Sequence, residues 1–352
     1  MGNTYVSALV SFFFYAGLTP FSTWALDARL RTLRGSMLAP STKKTYGSYL
    51  RTYISFCNYL GIPIVPISTL NLCRFVAYLS LRLSFMSIRN YISVVRLLHL
   101  ETGHNNPIDS YLVESTLKGA KRLLGALTCP KLPITTLLLQ KMRQTLDFHN
   151  PPDLVFWGVC LVAFFSFFRK SNLLAPSWGL FDPKKHLSRS NISFDSSGAV
   201  ISVTWSKTIQ FSERTLLVPL PHIPDSPFCP SCILKLIFRL YPAPTHHFPA
   251  FTYCVNSHWC IVTYNWFLQK LKHVLSLIGV DPSRYSGHSF RRGGASFALE
   301  CGLSPDLIKS QCDWKSGAYQ SYLDPSLSCR SKAANRLGEE FRRLFPVYPI
   351  FR

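Results

Sequence analysis

Between Tyr285 and Gly302 the chain reads YSGHSFRRGGASFALECG, which sets His288 three residues ahead of Arg291 at the start of an apolar, helix-like run. Residues three apart on a helix share a face, so both side chains point the same way. The helix dipole already makes that end positive. Further cations there make sense when something strongly negative is to arrive, and a phosphate group is the simplest such ligand. Four other positions carry chemistry of a compatible kind. Arg169 closes the apolar run FFSFFR, where a guanidinium on a rigid element is held still, as preorganised charge stabilisation requires. Lys207 stands at the exit of a strand-like stretch, VTWSK, on a hairpin able to reach over a substrate. Trp314 and Tyr322 lie eight residues apart in CDWKSGAYQSYL, close to two helical turns.

The composition points to the same class of ligand. Thirty-eight Lys and Arg against seventeen Asp and Glu give a net charge of +21, which implies a polyanionic partner, nucleic acid first and an anionic membrane surface second. The most apolar run, LVFWGVCLVAFFSFF, has fifteen residues, short of the roughly 18–20 that span a bilayer, and reads as a buried helix. A membrane partner is therefore not expected. The N-terminal run ALVSFFFYAGL lacks a preceding basic segment and does not read as a signal peptide. Eleven cysteines, an odd number spread over 352 residues, argue against a disulfide scaffold and for a reducing, intracellular setting.

The elements that must hold these side chains are mostly helices. The stretch APSTKKTYGSYLRTYISFCNYLG shows apolar and aromatic residues at helical spacing behind a cap at Ser41 or Thr42, and Gly61 closes it. Three similar stretches follow, giving four helices between about 41 and 127. Residues 41–130 contain ten Lys or Arg and three Asp or Glu, an imbalance suited to gripping a phosphate backbone. Lys43, Lys44, Arg89, Arg96, Lys118, Lys121 and Arg122 are the expected contacts of this module, although any one such charge is usually just a solvated side chain. TCPKLPI reads as a linker. Beyond it come the apolar helix ending at Arg169, three short strands within 186–221, and helices over about 228–240, 264–279, 289–302, 304–312, 316–323 and 327–345. The expected fold is mainly α with a small antiparallel β-sheet (α+β), divided into an N-terminal extension over 1–37, a helical DNA-binding domain over 38–127, a linker over 128–134 and a catalytic domain over 135–352.

CPSC, at Cys229–Cys232, raises a zinc reading, with His246, His247, Cys254, His258 and Cys260 downstream. A structural zinc site takes four ligands, usually as two tight pairs. The downstream residues make an irregular second pair, and Pro230 suits the first turn of a helix. No metal site is expected from this pattern.

Taken singly, each chemistry-bearing residue has an ordinary structural explanation. Their order is more specific: Arg, strand Lys, His-x-x-Arg, Trp, Tyr. In FFRKSNLL, WSKTIQFSER, GHSFRRGGAS and WKSGAYQSY the chain resembles the tyrosine recombinases, the superfamily of phage integrases, Xer and Cre. Within it the spelling is most similar to the recombinases of eukaryotic Crypton and DIRS/Ngaro-type mobile elements. The motifs span about 164–322, and a weaker resemblance to a core-binding domain covers about 41–127.

The resemblance implies that Arg169 and Arg291 clamp the non-bridging oxygens of a scissile phosphate in DNA, a task for which guanidinium forks are suited. It implies that Lys207 protonates the leaving 5′ oxygen, that His288 moves the proton of the nucleophile, and that Trp314 packs on the nucleophile's helix and can reach a phosphate oxygen. Tyr322 would attack, leaving a 3′-phosphotyrosine and a free 5′-hydroxyl, with no metal, no cofactor and no ATP. Tyr319 is a rival nucleophile that helical spacing does not exclude; the motif favours Tyr322. Arg292, next to Arg291, points elsewhere on the helix and reads as a backbone contact or a structural residue. Where many members carry an acidic residue three positions after the first Arg, this chain has Asn172, which leaves the support of Arg169 open. The implied partner is double-stranded DNA, held by a homotetramer arranged as a dimer of dimers and docked through the C-terminal stretch, in a nuclear setting. Two other readings compete: a domesticated DNA-binding relative without turnover, and a type IB topoisomerase-like activity.

Overall fold

The computed structural model describes residues 22–125, 131–206, 209 and 214–311, and beyond them positions 314, 320, 323, 331, 334, 335, 339, 342 and 343. Lys207, Tyr319, Tyr322, most of the expected helices over 316–323 and 327–345, and most of the expected N-terminal extension lie outside the described residues. The chain divides into two compact units, Met1–Cys129 and Pro130–Arg352.

Among the described residues the first unit contains five helices: α1 (Thr23–Gly35), α2 (Pro40–Leu60), α3 (Thr69–Ser80), α4 (Phe85–Glu101) and α5 (Tyr111–Leu124). Serine side chains start three of them, Ser22, Ser68 and Ser84 each accepting a hydrogen bond from a first-turn N–H. α2 begins two or three residues earlier than a cap at Ser41 or Thr42 implies. Pro40 occupies its first turn after Ala39, so neither Ser41 nor Thr42 caps it. Proline suits that place because its missing N–H would be unpaired there anyway. Gly61 ends the helix in the left-handed region at φ 62°, as expected. The core gathers Tyr53, Phe56, Leu72, Phe75, Ile88, Ile92 and Val95. Two polar groups are buried with their bonds satisfied. The Tyr53 hydroxyl donates to the Ile64 carbonyl (2.7 Å). His99 takes the Ile67 N–H on Nε2 (2.9 Å) and donates from Nδ1 to the Val95 carbonyl (2.8 Å), which fixes a neutral tautomer. His99 is thus a structural histidine.

The second unit is built around an apolar helix. α6 (Thr136–Gln144) precedes α7 (Pro151–Ser166), and α7 is buried over nearly its whole circumference. A helix apolar on all sides belongs inside a large core. Each fully buried Leu, Val or Phe there contributes about 1.5–3 kcal/mol. Among the described residues no helix is long and apolar enough to cross a membrane. A one-turn helix α8 (Lys170–Leu173) leads into three antiparallel strands, β1 (Ile192–Phe194), β2 (Gly198–Val203) and β3 (Leu216–Pro221), ordered β1-β2-β3 with Ile192 opposite Ile201 and Ile201 opposite Val218. Then come α9 (Pro230–Leu240), a hairpin of β4 (Thr252–Val255) and β5 (His258–Ile261), and helices α10 (Tyr264–Leu277), α11 (Gly287–Glu300) and α12 (Pro305–Gln311).

Four features depart from the sequence expectation. The stretch after β3 is not wholly helical: the β4–β5 hairpin turns on Asn256 and Ser257, both at positive φ (50° and 64°). That is the backbone a two-residue hairpin loop demands, and Asn tolerates it. α6 is a separate helix capped by Thr135, whose side chain accepts the Leu138 N–H. Residues 131–134, expected as linker, are bonded into the second unit: Leu132 N–H donates to Arg284 O (2.8 Å), Ile134 N–H to Ser289 O (2.9 Å) and Lys131 Nζ to Ser283 O (2.6 Å). Finally, α7 stops at Ser166, where Phe167 adopts φ 53°, so Arg169 stands beyond the helix rather than ending it.

Candidate functional site

The site begins at that left-handed Phe167. The turn exposes the Phe167 carbonyl, and Arg291 Nη1 donates to it from α11. α11 can come so close because two consecutive glycines face its neighbours. A Cβ on Gly293 would sit 1.8 Å from the Ile134 carbonyl oxygen, and one on Gly294 would sit 2.0 Å from the Phe164 oxygen. In RRGGAS the arginine and the glycines thus work together: the absent side chains let Arg291 reach the end of α7.

Arg291 is 1% exposed, and its guanidinium lies 4.0 Å over the Trp314 ring. A cation over an indole face is attracted by the ring's electron density. Trp314, 4% exposed, is packed with Phe167, Ala295, Ala298 and Ile308, and its backbone N–H donates to the Lys309 carbonyl (3.0 Å). Trp314 therefore supports Arg291 directly, a relation not apparent from spacing. α12 is tied to the same place, since Gln311 Nε2 donates to the carbonyls of Phe165 (3.3 Å) and Pro219 (3.2 Å).

His288 lies in the first turn of α11. Ser286 caps the helix by accepting the His288 N–H (3.3 Å), and Ser289 Oγ accepts the Ser286 N–H (3.0 Å), closing a capping box. Lost hydration lowers the His288 pKa below its ordinary 6.5, and Arg291, Lys170 and Arg169 push it the same way. A histidine held neutral in a ring of cations is ready to accept a proton.

Arg169, partly exposed, precedes α8 in extended backbone, and Lys170 holds its ammonium 4.0 Å over the Tyr264 ring. Tyr264 also packs against Gly287, the first residue of α11. Asn172 is buried, and its Nδ2 donates to the Trp205 carbonyl (3.4 Å). The residue that departs from the common acidic pattern thus links the turn carrying Arg169 to the segment leading to Lys207. Ser206 and Ile209, flanking Lys207 in sequence, exchange backbone hydrogen bonds (3.0 and 3.2 Å). Arg292 is half-buried beside Arg291.

Of the six residues proposed from sequence, Arg169, His288, Arg291 and Trp314 are brought together; Lys207 and Tyr322 lie outside the described residues. Sequence reasoning missed Lys170 as a third cation of the cluster. It stands next to Arg169, but only the fold shows that it faces His288. In the first unit, Lys43, Lys44, Arg89, Arg96, Lys118, Lys121 and Arg122 are all exposed. Lys43 Nζ donates to the Gly35 carbonyl, and Lys118 pairs with Glu114 (3.0 Å), so these two already have intramolecular partners.

The fold is that of the tyrosine recombinases and integrases. The Tn1549 transposon integrase in complex with transposon right end DNA superposes with a TM-score of 0.60, covering 88% of this chain and 98% of its own, at 13% identity. A lambda integrase dimer bound to a core site gives 0.55 over 85% of this chain and 94% of its own, at 14% identity. In sequence, the chain is similar to an integrase/recombinase XerD homolog of Selenomonas ruminantium, 22% identical over 306 residues that make up 85% of this chain and 86% of that protein. No family model matches the chain.

Proposed function

We propose that this protein cuts and rejoins DNA through a covalent phosphotyrosine intermediate. The observation that carries the reading is the cluster of Arg169, Lys170, His288 and Arg291, with Arg291 buried and braced by the Phe167 carbonyl and the Trp314 ring. Such a cluster is suited to a phosphodiester whose negative charge grows during substitution at phosphorus. Fixed donors do most where charge develops, because they need no reorganisation.

In the proposed reaction the Tyr322 oxygen forms a bond to phosphorus while the bond to the 5′ oxygen breaks. His288, neutral under ordinary conditions, takes the phenolic proton; a phenol with an ordinary pKa of about 10 needs such help near neutral pH. Lys207 gives a proton to the departing 5′ oxygen. Arg169 and Arg291 hold the non-bridging oxygens. Attack by a 5′-hydroxyl on the phosphotyrosine reverses each step and reseals a strand, and the phosphodiester energy is retained throughout.

The relatives are named as integrases and recombinases, several of them bound to DNA. This supports double-stranded DNA as the substrate and site-specific recombination as the outcome. The exposed basic residues of the helical unit are suited to its backbone. A homotetramer, transport of a mobile element, and kinship with Crypton or DIRS/Ngaro elements are further parts of the proposal, the last resting on the spelling of the motifs.

A nicked suicide duplex tests the reading. Wild type is expected to form a covalent protein–DNA adduct, and Tyr322→Phe to abolish it while binding persists. An adduct that survives Tyr322→Phe but not Tyr319→Phe would move the nucleophile. Binding without any adduct in the wild type would favour a DNA-binding protein without turnover. Relaxation of supercoiled DNA with no site requirement would favour a topoisomerase.

A further inference from the structure

The CPSC motif takes no part in the cation cluster, yet the fold completes it in an unexpected way. The residue that joins it is not one of the downstream histidines or cysteines. It is His222, which follows β3 directly. The ligand atoms of His222, Cys229 and Cys232 all lie within 4.8 Å of one another. His222 Nδ1 is 3.4 Å from Cys232 Sγ and 3.9 Å from Cys229 Sγ. A tetrahedral zinc ion, with Zn–S of about 2.3 Å and Zn–N of about 2.0–2.1 Å, sets its sulfur and nitrogen ligands about 3.6 Å apart. The two observed separations bracket that spacing.

The three side chains are also held in place. His222 N–H donates to the Ser197 carbonyl (2.8 Å), which anchors it beside the β1–β2 turn. Cys229 caps α9, and its buried Sγ accepts the Ile223 N–H (3.2 Å) and the Cys232 N–H (3.3 Å). Backbone donors of this kind orient a sulfur ligand and favour its thiolate form. Pro230 stands in the first turn of α9, so a helix start and a ligand pair coexist here.

We propose that His222, Cys229 and Cys232 bind a zinc ion, with a fourth position open to solvent. Two thiolates and an imidazole are the donor set that a borderline-soft, tetrahedral ion prefers over the all-oxygen shells of Mg²⁺ or Ca²⁺. Binding displaces the thiol protons of Cys229 and Cys232 and ties the end of β3 to the start of α9.

The test uses the full-length protein, reduced, stripped of metal by a chelator, and titrated first with Co²⁺ as a spectroscopic probe. A thiolate-to-cobalt charge-transfer band is expected, saturating at one equivalent and bleached by Zn²⁺. Cys232→Ser and His222→Ala are each expected to weaken Co²⁺ binding at least tenfold while the far-ultraviolet circular dichroism stays unchanged. Cys301→Ser, at an exposed cysteine outside the cluster, is expected to change nothing. His222 is exposed and lies outside the core, so its variant keeps the test meaningful even if Cys232→Ser fails to fold. The proposal is overturned by an absent band, by a band that persists in His222→Ala with undiminished affinity, or by one lost equally in Cys301→Ser.

Discussion

The two units use positive charge in opposite ways. In the helical unit the cations stand in solvent on long, freely rotating stems, Arg89 and Arg96 on α4 and Lys121 and Arg122 at the end of α5. In the second unit the central cation, Arg291, is enclosed and held by the Phe167 carbonyl and the Trp314 ring, and Lys170 beside it lies over the Tyr264 ring. Exposed charges can follow an irregular polyanion, and each contributes little because water and salt screen it. An immobilised charge near a low-dielectric interior acts at one point, and there its effect is large. The first arrangement is suited to holding a polymer, the second to altering one bond in it.

The contrast is broken most severely at Arg291. Arg291→Ala is expected to lower strand cleavage on the order of 10²–10³-fold, the usual cost of removing one fixed donor. A single-turnover assay with the nicked duplex measures it. Arg291→Lys should recover little, since a point charge cannot keep the Phe167 carbonyl and also present a planar fork.

Gly293→Ala tests whether close helix approach creates the site. The added methyl would meet the Ile134 carbonyl, and forced overpacking of this kind costs about 1–3 kcal/mol. The expected result is a lower thermal midpoint in calorimetry with cleavage reduced alongside. Unchanged stability would mean that α11 shifts freely and that its position is not critical.

Lys121→Ala and Arg122→Ala should do something different in kind. Each is expected to weaken DNA binding a few-fold for every sequence, and to lower the slope of log affinity against log salt by about 1. The cleavage rate of bound substrate should not change. A change in cleavage with binding intact would erase the distinction between the units.

The smallest expected effect is a titration. Because the folded-state pKa of His288 lies below 6.5, the unfolded chain takes up this proton first as the pH falls. His288 therefore costs no stability above about pH 6.5 and destabilises the fold increasingly below it. Inorganic phosphate, by adding negative charge nearby, should raise the pKa. Nuclear magnetic resonance of the imidazole ring with and without phosphate checks both signs; an unmoved value would show that the cluster does not take up the anion.

Much of this was legible in the amino-acid order. Helical spacing located α2 to α5 and α9 to α11, because those faces are plainly amphipathic, and alternation located β1 to β3. The β4–β5 hairpin escaped notice because its loop, Asn256–Ser257, lacks the glycine that usually marks such a turn. The end of α7 was misplaced because nothing in FFSFFR announces that a phenylalanine will adopt a left-handed backbone. At the site, residue types and order were sufficient to group Arg169, His288 and Arg291. Lys170, the bracing role of Trp314 and the bond from Asn172 to Trp205 were hidden, since each depends on contact between elements far apart in sequence.

Arg291 is an internal strut as well as the proposed clamp. A copy of this gene that had ceased to act on DNA would still need the guanidinium to fasten α11 to the end of α7, and selection for mere folding would preserve it. Finding this arginine intact in a relative is therefore evidence of a sound scaffold and says little about turnover. Inactive descendants should betray themselves at His288, which lies at the rim of the site rather than in the core, and whose loss the protein's interior would hardly register.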